Sequence, residues 1–407
     1  MELSGATPPA PPIRFAVLSD VHAVSARTHK EESRARQQTE SDPKRNPLAA
    51  VKRLIQDEGL RADAVLCPGD LTNRMEPAGL EYAWRQVDEI ATLLGAQHVI
   101  ATAGNHDVLR YEDLPANAEE MTWARDLQTL TPVFPSRETN QAAEYFGEDF
   151  TIIDETSWRV VALNSCARHD QRGQYAHGSV DDQTLDNMVT AVGTDQRPIN
   201  ILLCHHHPVV WTHLDRRDTS FMDGGEKLLR TLEEHHSDWL FLHGHRHVPA
   251  LGYAGETGSQ TVRFSAGSLG VFLESEGRGH VRNQFYMLDF DVHQMQALGL
   301  TNAGRFRAWD FNYNSGMVEA DPDEDLPGRG GFGFRRTSDE LAALCERTAT
   351  ALGKRWVRWE ELCEADARWL YVAPRDLQAL RRTLSTKYRA KLTPREARHR
   401  ITKVTLP

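Results

Sequence analysis

The sequence predicts an α/β fold, and three observations carry the prediction. Short apolar runs alternate with segments of helical period along the first 250 residues. Several of these runs end at once in carboxylate, amide or imidazole residues, often beside a glycine. The chain has 407 residues and is 40% hydrophobic, enough to bury a sizeable core.

Ile13 to Leu18 reads as a buried strand that ends at Ser19-Asp20. The polar stretch Val24 to Arg45 reads as a loop beside Asp20. Asn46 to Asp57 is predicted helical, with Asn46 as N-cap and Pro47 in the first turn. A strand over Ala64 to Cys67, a helix over Gly79 to Leu94 and a strand over Gln97 to Ala101 follow. Val108 to Thr151 is less regular and has room for helices above a site. The alternation resumes with a strand (Asn200 to Cys204), a helix (Glu226 to His235) and a strand (Trp239 to Leu242). Thr261 to Ser265, Gln284 to Phe290, Gln296 to Leu300 and Arg305 to Phe311 read as strands, with a turn over 301–304. Residues 316–335 are acidic and then glycine-rich, and are predicted to link a domain over 13–315 to a basic, mainly helical extension over 336–407. In that extension Ser338 to Gly353, Pro374 to Tyr388 and Pro394 to Arg400 read as helices.

Composition narrows the function classes. A net charge of −11 argues against a nucleic-acid binder as a whole molecule. The five cysteines are odd in number and form no CxxC pair, which argues against a disulfide framework or a zinc ribbon. No apolar run is long enough to span a bilayer, and the N-terminus lacks a basic region followed by an apolar one, so a cytoplasmic location is expected. From Arg375 onward ten Lys or Arg stand against two acids, an excess of +8 that leaves −19 on the rest. Such a tail could meet a nucleic acid or an acidic protein. The favoured reading is an amphipathic helix docked through Leu377, Leu380 and Leu384.

The chemistry lies at the strand ends, which read Asp20-Val21-His22, Gly69-Asp70, Gly104-Asn105-His106-Asp107, His205-His206-His207 and Gly244-His245-Arg246-His247. In α/β sheets, sites form outside the carboxyl ends of the strands, so these groups should converge. Residues i and i+2 of an extended chain point the same way, which would let Asp20 and His22 share one ion, and His245 and His247 likewise. Imidazole, carboxylate and amide oxygen without thiolate suit Mn, Fe, Zn or Ni. Asp70 could bridge two ions.

This set of DxH, GD, GNHD, H and GHxH motifs resembles the calcineurin-like metallophosphoesterases over about Ile13 to Phe311. The resemblance implies a sandwich of two mixed β-sheets flanked by helices, with two divalent metal ions at the strand ends. It implies that Asp20, His22 and His247 hold the first ion, that Asp70 bridges, and that Asn105, His245 and one of His205 and His206 hold the second. Alignment on Pro208 favours His206, whereas counting from the strand end gives His205. His106 resembles the catalytic histidine and is the candidate general acid for hydrolysis by water held between the ions. Asp107 is a candidate to support it, with a turn or cap contact as the alternative. The segment GDLTNRMEPAGLEYAWRQV looks like the cyclic-nucleotide and glycerophosphodiester branch, although Asn73 stands where that branch often has Asp. A small phosphodiester is therefore the expected substrate. A nuclease guided by the basic tail, and a protein or nucleotide phosphatase, are the alternatives. Arg74, Arg110, Arg168, His169 and His177 are lesser candidates for the rim. No membrane partner is expected, and the sequence leaves oligomeric state open.

Overall fold

The computed structural model describes residues 11–25, 33–109, 124–169, 177–210, 220–235, 238–254, 261–273, 282–321, 326–387, 391–393 and 403–405. Along them run β1 (Ile13–Val17), α1 (Pro47–Glu58), β2 (Ala64–Cys67), α2 (Pro77–Leu94), β3 (His98–Ala101), α3 (Arg125–Gln128), α4 (Thr139–Glu148), β4 (Phe150–Asp154) and β5 (Trp158–Leu163). There follow α5 (Asp182–Val192), β6 (Ile199–Leu203), α6 (Gly225–His235), β7 (Leu240–His243), β8 (Ala250–Tyr253), β9 (Val262–Ser265), β10 (Gln284–Phe290), α7 (Val292–Ala297), β11 (Gly304–Asn312), β12 (Gly316–Glu319) and β13 (Arg329–Phe332). The C-terminal part adds α8 (Ser338–Ala351), β14 (Trp356–Arg358), α9 (Trp359–Ala365), α10 (Pro374–Thr386), β15 (Lys391–Thr393) and β16 (Lys403–Thr405).

Two mixed sheets face each other. The first has the order β12-β11-β10-β1-β2-β3, with β13 also paired to β11, and the second β4-β5-β6-β7-β9-β8. Phe15, Val17, Leu66 and Ile100 of the first sheet share a core with Val160, Ile201, Leu203, Leu242 and Phe264 of the second. On the outer face of the first sheet, Ala16, Val65 and Val99 pack with Leu48, Val51, Leu80 and Val87 of α1 and α2. On the outer face of the second, Val161, Leu202 and Phe241 pack with Leu185 and Met188 of α5 and Leu228 and Leu232 of α6. These strands are buried on both faces, which is why they read as continuous apolar runs rather than as alternations.

Local chemistry explains the helix starts. The Asn46 side chain accepts the N–H groups of Leu48 and Ala49, and Pro47 follows at the first position of α1. Gln296 to Leu300, expected as a strand, instead closes α7 and the turn after it. The Asp291 carboxylate accepts the Gln294 N–H at 2.9 Å and starts a helix that buries Met295.

The expected linker over 316–335 is corrected as well. Residues 316–319 and 329–332 are strands β12 and β13, both antiparallel to β11. The C-terminal extension joins the same core: Leu341, Cys345, Trp369, Tyr371, Leu377, Leu380 and Leu384 cluster with Phe306 and Phe332. The tail thus docks through the leucine face of α10, and the extension adds the small sheet β14-β16-β15 to its helices. The expected helix at 394–400 lies outside the described residues, as does the 26–32 part of the loop after β1. All five cysteines are free. No described helix is long and apolar enough to cross a membrane.

Candidate dinuclear metal centre

Strands β1, β2 and β3 run parallel in the first sheet, and β5, β6, β7 and β9 run parallel in the second. Their carboxyl ends therefore deliver Asp20, Asp70, Asn105, His205 and His245 to one edge of the sandwich. The reason given by strand alternation does not hold at that edge. Asp20, His22, Asp70, His245 and His247 all take positive φ, between 48° and 75°. Left-handed backbone is costly for residues with a Cβ, and such strain concentrates at functional sites. The turn away from the strand, not the pleat, aims these side chains inward.

Two glycines make room for the carboxylates. A Cβ on Gly104 would collide with the Asp70 side chain and backbone N, and one on Gly244 with the Asp20 carboxylate and Ser19 Oγ. His245 N–H donates to Asp20 Oδ1 at 2.9 Å across the resulting contact.

Asp20, His22, Asp70 and His247 form one buried cluster with ligand atoms within 4.8 Å of one another. His22 Nε2 stands 3.2 Å from His247 Nε2 and 3.2 Å from Asp70 Oδ2, and His247 Nε2 stands 3.4 Å from Asp20 Oδ1. Two imidazole nitrogens facing each other between two carboxylates are best satisfied by a shared cation, and the all-N/O donor set fits a divalent transition metal.

A second group meets the other side of Asp70. His205 Nε2 is 3.4 Å from Asp70 Oδ2, 3.0 Å from Asn105 Oδ1 and 3.3 Å from His245 Nδ1, and His245 Nδ1 is 3.0 Å from Asn105 Oδ1. His205 is thus the histidine that reaches Asn105 and Asp70, while His206 stands beside it: one ligand atom from each of His205, His206 and His245 falls within 4.8 Å of the other two. His205 Nδ1 donates to the Pro68 carbonyl at 2.9 Å, which turns its Nε2 toward the group. His206 directs Nδ1 to Ser165 Oγ at 2.9 Å instead.

The charges are tightly linked. Burial disfavours ionised Asp70, but the imidazoles of His205, His106 and His22 outweigh it and hold the carboxyl well below the usual range. Burial also opposes charge on His205, yet Asp70 raises that imidazole to about 9. For His245, burial and then the neighbouring His206 and His205 push the pKa well down.

His106 lies half-buried at the rim, its ring 4.6 Å from that of His22. Its Nδ1 accepts the Arg74 backbone N–H at 3.3 Å and stands 3.2 Å from Asn73 Oδ1. Burial lowers it to about 4, so the ring is neutral near pH 7. Asp107 takes the turn role: its oxygens accept the Thr72 and Gly104 N–H groups, both at 2.9 Å. Burial and then the Asp70 charge raise it to about 7.

Among the rim candidates, Arg168 pairs with Asp181 at 2.8 Å and Asp149 at 3.4 Å, Arg74 is exposed, and Arg110 lies outside the described residues. His169 is buried and reaches the His177 carbonyl at 3.1 Å. One contributor escaped the sequence reading. Ser268 Oγ donates to the Asp20 carbonyl at 2.7 Å and accepts the Val271 N–H at 2.9 Å, tying the loop after β9 to the first cluster. The signal was present, because Val262–Ser265 is another apolar strand followed at once by small polar residues and glycine.

Solved structures with similar folds include a purple acid phosphatase from yellow lupin (Lupinus luteus) seeds, at 13% identity and TM-score 0.45, covering 76% of this chain and 53% of that one. A 5'-nucleotidase precursor from Thermus thermophilus matches at 10% identity and TM-score 0.35, covering 79% of this chain and 54% of that one. This chain therefore spans about half the length of each. Comparison with curated proteins returns no significant match. The family model for calcineurin-like phosphoesterases matches residues 13–255, more than half of the chain, and the protein belongs to that family.

Proposed function

We propose that the protein is a phosphodiesterase that uses two divalent metal ions to hydrolyse a small diester such as a cyclic nucleotide. The observation that carries the reading is the shared carboxylate: Asp70 Oδ2 stands 3.2 Å from His22 Nε2 and 3.4 Å from His205 Nε2, so one oxygen serves both donor groups. Asp20, His22, Asp70 and His247 would hold the first ion, and Asp70, Asn105, His205 and His245 the second. When bound, such a pair supplies Lewis-acid stabilisation of the phosphoryl oxygens and a water acidic enough to attack near neutral pH. In the imidazolium form, which the charge of a bound phosphate favours, His106 would direct Nδ1–H to Asn73 Oδ1 and give its Nε2 proton to the leaving oxygen as the ester bond breaks, returning to the neutral ring. Asp107 keeps the two loops that carry Asp70 and His106 in register through Thr72 and Gly104.

The diester preference rests on the likeness of the GDLTN segment to diesterase sequences. Burial of Leu377, Leu380 and Leu384 docks the α10 part of the basic tail and speaks against an arm that is free from Arg375 onward. The deciding experiment compares Mn-dependent hydrolysis of bis-p-nitrophenyl phosphate and p-nitrophenyl phosphate. Faster diester turnover, abolished by chelator, is expected. A monoester preference would replace the reading with a phosphatase.

A further inference from the structure

His206 borders the dinuclear centre, its ring 4.5 Å from that of His245, and it also belongs to a second group of a different composition. It is fully buried, and its Nε2 has no hydrogen-bond partner among the described residues. Gly178 is pressed against it so closely that a Cβ there would stand 2.5 Å from the His206 Cβ and Cγ. A polar nitrogen sealed in this way is costly unless something satisfies it.

Two further donors close on the same ring. Cys166 Sγ lies 3.9 Å from His206 Nδ1, and the His169 ring centroid lies 5.3 Å from that of His206. One ligand atom from each of Cys166, His169 and His206 falls within 4.8 Å of the other two, and all three residues are buried. His169 Nε2 donates to the His177 carbonyl at 3.1 Å, which fixes the tautomer with a lone pair on Nδ1. In the chain as it stands, Ser165 Oγ lies 2.9 Å from His206 Nδ1, and the Cys166 thiol donates to the Ala103 carbonyl at 3.4 Å.

We propose that Cys166, His169 and His206 form a third metal site, beside the dinuclear centre, for a thiophilic ion such as Zn²⁺ or Cu⁺. The donor chemistry separates it from its neighbour: the Asp70-centred groups offer only oxygen and nitrogen, whereas this group adds a sulfur, which selects softer ions. Binding converts the Cys166 thiol to a thiolate and releases its proton to solvent, so no other reactant is needed. The site is closed and has a structural role, since it ties the loop after β5 to the loop after β6, where the His206 ring lies 4.9 Å from that of His205.

Cobalt distinguishes the two centres in the full-length protein. The Co²⁺-loaded chain should show a thiolate-to-cobalt charge-transfer band in the near ultraviolet beside the visible bands of the N/O sites. C166S should remove that band and one equivalent of metal while sparing the visible bands. D70A should do the reverse, so failure of the dinuclear reading is seen separately. If C166S does not fold, H169Q provides the second test through weaker retention of the same equivalent during dialysis. A Co²⁺-loaded wild-type chain without the charge-transfer band, or a band that survives in C166S, would overturn the proposal.

Discussion

The Asp70 carboxylate accepts the His106 backbone N–H through Oδ1 at 2.8 Å while its Oδ2 faces His22 and His205. One side chain thus sets the position of the candidate acid and of both donor groups. Asp70→Ala should therefore lose both ions of the pair and lower turnover by on the order of 10³-fold or more. Metal analysis of the purified variant checks this, and retention of both ions would show that the bridge lies elsewhere.

His106→Ala separates proton donation from metal binding. Its side chain touches the rim, so metal content should stay near wild type while kcat falls by roughly 10²–10⁴-fold. Unchanged kcat on a substrate with a poor leaving group would remove His106 from the chemistry.

The choice between neighbouring histidines is testable by the same assay. His205→Ala should lose the second ion of the pair and its activity, because only His205 reaches both Asn105 and Asp70. His206→Ala should keep the pair. The opposite pattern would restore His206 as the ligand.

Asp376 offers a pH test far from the site. Burial raises its carboxyl to about 6, against the opposing charges of Arg335 and Arg375. A raised folded-state pKa favours the folded protein below the unfolded pKa near 4, and that advantage is lost as pH rises through about 6. Asp376→Asn should thus be neutral near pH 4 and stabilising by up to roughly 3 kcal/mol near pH 7.5. Denaturant titrations of both proteins across this range measure the difference, and a pH-independent difference would refute the assignment.

Leu380 tests whether the extension belongs to the main core. It is buried on α10 within the cluster that contains Phe306 and Phe332. Leu380→Ala should cost about 2–5 kcal/mol and lower the midpoint of a single unfolding transition. A separate early transition would mean that the extension unfolds by itself.

By itself, the sequence determined which segments are buried strands and which residues end them, because doubly buried strands are apolar throughout and the polar groups that follow have only the sheet edge to occupy. Asp20, Asp70, Asn105 and His245 were legible for that reason. Tertiary structure decided the rest. His205 and His206 are adjacent and chemically identical, and only the sharp turn after β6, with Pro68 and Ser165 as competing partners, sends one to Asn105 and the other to Ser165. Positive φ at Asp20 and His22 has no signature in residue type, since neither is glycine. The glycine-rich stretch after β12 looked like a linker because Arg329–Phe332 has little apolar side chain of its own. It becomes a strand only because β11 offers an edge of unpaired backbone groups to meet it.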